Sequence, residues 1–389
     1  MAAVDRAVTI EDLRRLALRR LPGFVGGYLE GGAGDGGGIR RNVDAFRKYQ
    51  LVPRALADDT PVDTSVELFG HRYASLFGIS AVGIAGIYRR HADELLAEAA
   101  RDANIPFILS GASHASIQAV TRIAPDHTWY QLYGAHTPEV TDIMLARARD
   151  SGVKVLVYTV DYPVAPRSEV ASRTGVSMAT GPTLRTFPAL FLDALLHPFW
   201  TAEYLRGGGL PKLESWAPHA PPGSNASEVA AYYVNHWSNA QTWRDLDRIR
   251  TSWKGPLVVK GLVHPDDVLR ASQAGADAVT ISNHGGNKLD CMQGALESLV
   301  AVKAGIGRDV RVFFDGGIRR GSDLIVAKAL GAEFCFTGRA TIYGTAAGGL
   351  RGAKRAIDIL QSDLTYTMTM IGCRSVPAIT REHVIAAQP

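Results

Sequence analysis

From residue 76 to residue 338 the chain alternates short apolar runs with longer amphipathic ones. The apolar runs are LFGISAVG (76–83), IPFILS (105–110), HTWYQLY (127–133), KVLVYTVD (154–161), PLVVKG (256–261), DAVTIS (277–282), VRVFFD (310–315) and EFCFTG (333–338). Between them lie stretches of helical period such as ADELLAEAARDA (92–103), TPEVTDIMLARARDSG (137–152), HPDDVLRASQAGA (264–276) and SDLIVAKALGA (322–332). Gly or Asn near their ends suits a left-handed cap. Runs that are apolar throughout, rather than alternating, belong to strands buried on both faces, as in a parallel sheet covered by helices. Eight such units in series predict an α/β protein with a (β/α)8 TIM barrel, a doubly wound open sheet being the alternative. The barrel is expected over 76–389. Residues 1–75 form an N-terminal helical extension whose loop covers the barrel mouth.

The rhythm breaks once, after the fourth strand. Residues 165–240 are rich in Pro, Gly, Ser and Trp, as in PRSEVASRTGVSMATGP and WAPHAPPGSNAS. So long a connection reads equally as a lid-like insertion over the active end or as a disordered surface segment. The opening MAAVDRAVTIEDLRRLALRRLP carries charges among its apolar positions. It reads as an amphipathic helix begun by Thr9 and ended by Pro22, not as a signal peptide. No run approaches the roughly 20 apolar residues that span a bilayer, so a cytoplasmic protein without membrane contact is expected. The net charge of +4 is dispersed, with no basic stripe interleaved with aromatics, which argues against nucleic acid. Cys291, Cys335 and Cys373 stand far apart and form no metal-ligand pattern, so no metal is expected and a reducing compartment fits.

Chemistry gathers at the strand ends. FFDGGIRRGSD (313–323) and FTGRATIYG (336–344) place Asp315-Gly316-Gly317, Arg319, Gly338 and Arg339 after successive strands. Glycines let backbone N–H groups approach a ligand and helix N-termini add positive potential, so the pair reads as a phosphate site. Lys260 closes PLVVK, where a buried ammonium requires an anion or an electron-rich partner. Asp161 closes KVLVYTVD and can orient a His or cap the turn that follows. Tyr133 reaches the same rim, and Tyr28 lies in a Gly-rich N-terminal loop. His284, followed by two glycines in SNHGGNKLD (282–290), is the candidate base.

These pieces, in the order YLEGGAGD, LSGAS, YQLY, TVDYP, LVVKG, SNHGG, FFDGGIRRGSD, TGRATIYG and GCRS, resemble the FMN-dependent 2-hydroxy acid oxidoreductases such as glycolate and lactate oxidases. The resemblance implies FMN across the barrel mouth, its phosphate at Gly316, Gly317, Arg319, Gly338 and Arg339, with Asp315 beside it. It implies Lys260 at the flavin N1–C2=O edge, and Ser110, Gln131, Thr159 and Ser282 along the ring or ribityl chain. It implies His284 as base, held by Asp161, with Tyr28 and Tyr133 at the reacting group and hydride transfer to flavin N5.

The departures concern the substrate. Hydroxy acid-oxidising members carry SNHGGR, whose Arg forks onto the carboxylate; here the position is Asn287, followed by Lys288. A second family Arg falls on Ser168, next to Arg167, and an aromatic position is Ala112. Loss of the fork costs a carboxylate ligand about 2–5 kcal/mol, and Lys288, one residue on, is expected to point elsewhere. The chain is similar here to the mycofactocin-biosynthesis branch, although it keeps Tyr28. The expectation is therefore an oxidase or dehydrogenase acting on a carbon bearing a hydroxyl or amine, in a bulky substrate without an α-carboxylate, such as a modified peptide or specialised metabolite. Alternatives are an ordinary L-2-hydroxy acid enzyme clamped by Arg167 or Lys288, and a redox-neutral FMN isomerase. Oxygen or another carrier would take the electrons, and the family suggests a homo-tetramer.

Overall fold

The computed structural model describes residues 3–57, 59–164, 168–169, 173, 187–237, 241–307 and 310–387. Eight parallel strands close into a barrel: β1 Phe77–Ile79, β2 Phe107–Leu109, β3 Thr128–Leu132, β4 Val155–Thr159, β5 Leu257–Leu262, β6 Ala278–Ile281, β7 Val312–Asp315 and β8 Phe334–Thr337. Closure is made where Cys335 of β8 lies opposite Phe77 of β1. Every expected strand contributes one stave, and the helices Ala92–Asp102, Pro138–Asp150, Pro265–Gln273 and Gly321–Ala329 fall where the helical period placed them.

The two-residue period of a strand decides what fills the barrel. Ile108, Trp129, Val155, Val157, Val258, Ala278, Phe313, Phe334 and Phe336 form one buried cluster in its interior. Counting on by two toward the C-terminal ends gives Ser110, Gln131, Thr159, Lys260, Ser282 and Asp315, all buried. The apolar interior thus carries a polar ring on its upper side. Its lower end is stopped by a hairpin, Val66–Leu68 paired with His71–Tyr73, which sends Leu68, Phe69 and Tyr73 into the same cluster. Tyr73 Oη accepts a hydrogen bond from Trp129 Nε1 at 3.1 Å, which satisfies the buried indole.

Thr9 starts helix Ile10–Arg20 with a reciprocal capping box to Asp12. The helix buries Ile10, Leu13 and Ala17 and lies against the final helix, Arg339–Met370. Helices Gly23–Glu30 and Gly37–Asp44 then bring the N-terminal segment to the barrel mouth. Tyr49–Leu51 pairs antiparallel with Val384–Ala386, joining this segment to the end of the chain.

The insertion follows β4. Arg167 and most of residues 165–186 lie outside the described residues, as do 238–240. The part from 187 to 237 is folded, against the reading as a disordered segment. Helices Phe187–Leu196, Pro198–Arg206 and Ala226–His236 and the chain joining them bury Trp200, Tyr204, Trp216, Tyr233 and Trp237. Trp200 Nε1 donates to Ile87 O at 2.9 Å and Trp216 Nε1 to Gly111 O at 3.0 Å. Each such large side chain contributes about 2 kcal/mol by burial. The tryptophans of this Pro- and Gly-rich composition supply the anchors.

Candidate active site

His284 stands just past the end of β6 with φ 55°, and Gly285 and Gly286 follow at 65° and 80°. Left-handed backbone in a non-glycine residue costs about 1–3 kcal/mol and needs support from its surroundings. Three contacts give it: the His284 amide donates to Ser282 Oγ at 3.0 Å, Nδ1 meets Asp161 Oδ1 at 2.9 Å, and Tyr133 Oη lies 3.3 Å from Nε2. The glycines allow close approach of the N-terminal segment. A Cβ on Gly286 would sit 2.5 Å from Ile39 N, and Ala33 N donates to Gly286 O at 3.1 Å. Asn42 and Asn283 exchange amide hydrogen bonds at 2.7 and 2.8 Å, and Asp290 accepts from Gly38 N at 2.8 Å. Both ends of SNHGGNKLD are thus tied to residues 33–42.

Burial raises the Asp161 pKa, but attraction from and the hydrogen bond to His284, with help from Lys260 and Lys288, outweigh it and leave the carboxyl below its usual range. Burial also holds His284 below its ordinary value; Asp161 opposes this and the two lysines add to it. The resulting state is a carboxylate facing a neutral imidazole whose Nδ1–H donates to it. Nε2 is left as a free base. Burial, then the Asp161 charge, push the Tyr133 phenol well up, so it remains a neutral donor. Asp161 Oδ2 is buried with no hydrogen-bond partner.

Beneath this corner the polar ring is satisfied internally. Ser80 Oγ and Ser282 Oγ each donate to Asp315 at 2.6 Å, and Lys260 Nζ lies 2.9 Å from Ser282 Oγ and 3.3 Å from Asp315 Oδ2. Ser110 Oγ donates to Gln131 Oε1 at 3.1 Å, while Gln131 Nε2 donates to Thr159 Oγ1 at 2.9 Å. Lys260, Asp315 and Tyr133 line the open cavity. Ser110, Gln131, Thr159 and Ser282 make its hydrogen-bonded floor, in the same polar ring as Lys260. Ser80, not singled out from sequence, shares the same inward parity.

Tyr28, Ala112, Gly316, Gly317, Arg319, Gly338 and Arg339 line the same cavity as the base, so the structure brings the strand-end motifs together. Gly316 and Gly317 have φ 137° and 81°, and a Cβ on Gly317 would lie 2.1 Å from Asn42 O. Only glycine fits there. Among the described residues no carboxylate comes within salt-bridge distance of Arg319, whose Nη1 donates to Ile318 O at 2.8 Å. The Arg339 guanidinium donates to Leu29 O, Gly31 O and Gly285 O at 3.0, 3.1 and 2.8 Å, so it clasps the end of helix Gly23–Glu30 to the His284 loop; Tyr28 lies in that helix and not, as expected, in a loop.

The sequence placed Lys288 away from the site; the structure turns it in. Lys288 lines the cavity beside Asn287, and its Nζ sits 3.0 Å from the centroid of the Tyr162 ring. Tyr162, which sequence reading passed over as part of a turn, stacks near-parallel to His284 at 6.1 Å and on Trp237 of the insertion at 4.1 Å. Ser168 also lines the cavity and bridges to Gly34.

The model of the FMN-dependent dehydrogenase family matches residues 17–386. This chain belongs to that family. It is 35% identical to (S)-mandelate dehydrogenase of Pseudomonas putida over 96% of this chain and 93% of that one. It is 32% identical to L-lactate dehydrogenase of Alcaligenes faecalis over 96% and 97%. The crystal structure of monotopic membrane protein (S)-mandelate dehydrogenase superposes with a TM-score of 0.92 at 34% identity, over 98% of this chain and all of that one. Family membership makes FMN the cofactor, and the residues present fit it. Gly316-Gly317, Arg319, which has no described carboxylate in salt-bridge distance, and the N-terminus of helix Arg339–Met370 would hold its phosphate. Lys260 provides a fixed ammonium at the cavity floor.

Proposed function

We propose that the protein is an FMN-dependent dehydrogenase or oxidase of 2-hydroxy acids larger than lactate. The observation that carries this is the Asp161–His284–Tyr133 chain facing a cavity into which Lys288 also points. The position of Lys288 favours the hydroxy acid alternative over the substrate without a carboxylate. The named relatives, mandelate and lactate dehydrogenases, support the same choice.

In this reading Nε2 of His284 takes the hydroxyl proton while a hydride leaves the same carbon, giving the 2-oxo acid. When bound, FMN supplies the two-electron acceptor. Asp161 stabilises the imidazolium that forms, and the Tyr133 phenol donates to the substrate oxygen until its proton has moved. Ala112 leaves room for a side chain, and Tyr162 and Tyr233 offer it an aromatic wall. Anaerobic mixing of the yellow protein with lactate, mandelate and carboxylate-free amines tests this. Flavin bleaching by mandelate with stoichiometric 2-oxo acid is expected, and bleaching by the amines alone would refute it.

No described helix is long and apolar enough to cross a membrane. The insertion nevertheless exposes Leu192, Leu195, Leu196, Phe199 and Leu205, with Phe199 82% exposed. Both acids of this helix pair turn inward, Asp193 to cap Phe24 N at 3.2 Å and Glu203 to bind Arg20 and accept from Arg90 N at 2.9 Å, which leaves the outer face without a free carboxylate. Arg19 and Arg206 border Phe199. We propose that this face rests on an anionic membrane surface, in place of the free cytoplasmic location expected from sequence. The monotopic relative supports it. Flotation with anionic vesicles should carry the protein up, and Phe199→Asp with Leu196→Asp should leave it behind. Equal flotation of both forms would dismiss the idea.

A further inference from the structure

Several cations face this cavity, and all but one of those described already have a defined partner or place. Lys260 is bound to Ser282 and Asp315, Arg339 to backbone carbonyls, and Arg319 to Ile318 O, with its guanidinium 5.8 Å from the centroid of the Tyr343 ring at the glycine-rich end. Lys288 is different. No described carboxylate lies within salt-bridge distance of it, because the hydrogen bond of Asp161 goes to His284, and its ammonium rests on the face of Tyr162. A ring face holds a cation by about 0.5–2 kcal/mol, less than a carboxylate does in the same low-dielectric place.

We infer that Lys288 is the specificity-determining residue of this site: a single, movable ammonium that leaves the Tyr162 ring to bind the carboxylate of the substrate held at His284. The inference rests on the 2-hydroxy acid reading above. Its geometry has three parts. The left-handed run His284-Gly285-Gly286 reverses the chain and aims residue 288 back toward the base. The Tyr162 ring, near-parallel to the imidazole at 6.1 Å, places the parked ammonium on the base side of the cavity. Trp237 at 4.1 Å and Tyr133 at 6.0 Å back the Tyr162 ring and fix where the cation waits. Asn287, in the cavity wall, adds a neutral amide that can bind the second carboxylate oxygen. A fork of five fixed donors is thereby replaced by one flexible donor and one amide, a contact less demanding of carboxylate orientation.

The test is binding of non-oxidisable ligands to the FMN-loaded protein by calorimetry, so it needs no turnover. Phenylacetate and its neutral isostere phenylacetamide are compared. The wild type should prefer the carboxylate by about 30-fold, as expected for one charge-assisted contact in a buried site. Lys288→Met should lower that preference tenfold or more, and Lys288→Arg should retain most of it. A smaller fall in Lys288→Met, or no preference in the wild type, overturns the inference. A preference that depends on Lys288 in a protein that does not oxidise mandelate would instead count against the hydroxy acid reading and leave the role of Lys288 standing.

Discussion

The floor of the cavity and its wall are built on opposite terms. On the floor, the strand-borne polar groups answer one another: Ser80 and Ser282 fill Asp315, Lys260 sits between Ser282 and Asp315, and Gln131 joins Ser110 to Thr159. On the wall, loop-borne groups are left with unmet demand: Asp161 Oδ2 is without a partner, Lys288 has only a ring, and Arg319 has no carboxylate in reach. A satisfied network holds shape, whereas unsatisfied groups bind what arrives. The comparison assigns rigidity to the strands and recognition to the loops.

It can be broken by substitutions that should damage one side without the other. The largest effect belongs to His284→Asn, which removes the wall's base and should lower the rate of anaerobic flavin reduction by about 10³-fold while FMN content and melting temperature hold. Loss of FMN in this variant would show that wall and floor are not separable. Next is Lys260→Met, which leaves Asp315 buried without its cation; unfolding measurements should show a loss of about 3–5 kcal/mol.

A smaller effect is set by pH. Burial draws the Lys288 ammonium down to about 7, with Asp161 opposing and Lys260 adding to the fall. The charged groups facing Lys288 are therefore Asp161 and Lys260, with His284 and Tyr162 beside it. The cation is the lower-pH form, so kcat/KM for a carboxylate substrate should fall about tenfold per unit as pH rises beyond that value. His284, held below its ordinary pKa, is already neutral there and sets only a more acidic limb. In Lys288→Met the alkaline fall should vanish, and its persistence would assign that limb elsewhere. The smallest effect is Ser110→Ala, which frees one acceptor position of Gln131 and should cost about 1 kcal/mol of stability with little change in turnover.

Much of this was legible because strands keep strict parity. Once 154–161 and 256–261 are read as strands, Thr159 and Lys260 must face the same way as Val157 and Val258, and the floor follows. Parity fails where φ turns positive. At His284 three successive left-handed residues reverse the chain, so no counting from β6 could place Asn287 or Lys288. Tyr162 escaped notice because its position depends on Trp237, 75 residues later in the sequence and across the insertion. In the insertion, composition left an ordered lid and a disordered segment equally open, because the tryptophans that pin its described part carry no periodic pattern.

The hairpin that stops the lower end of the barrel has a kinetic consequence. With Leu68, Phe69 and Tyr73 filling that end, the described residues leave no path through the barrel, and the cavity's opening lies at the strands' C-terminal ends. Substrate, product and any bulky acceptor of the electrons must use it in turn. On the proposed hydroxy acid reading, the 2-oxo acid must leave before a large carrier can reach the reduced cofactor, and double-reciprocal plots against such a carrier should run parallel. Traffic through one opening then sets the order of events as firmly as the chemistry does.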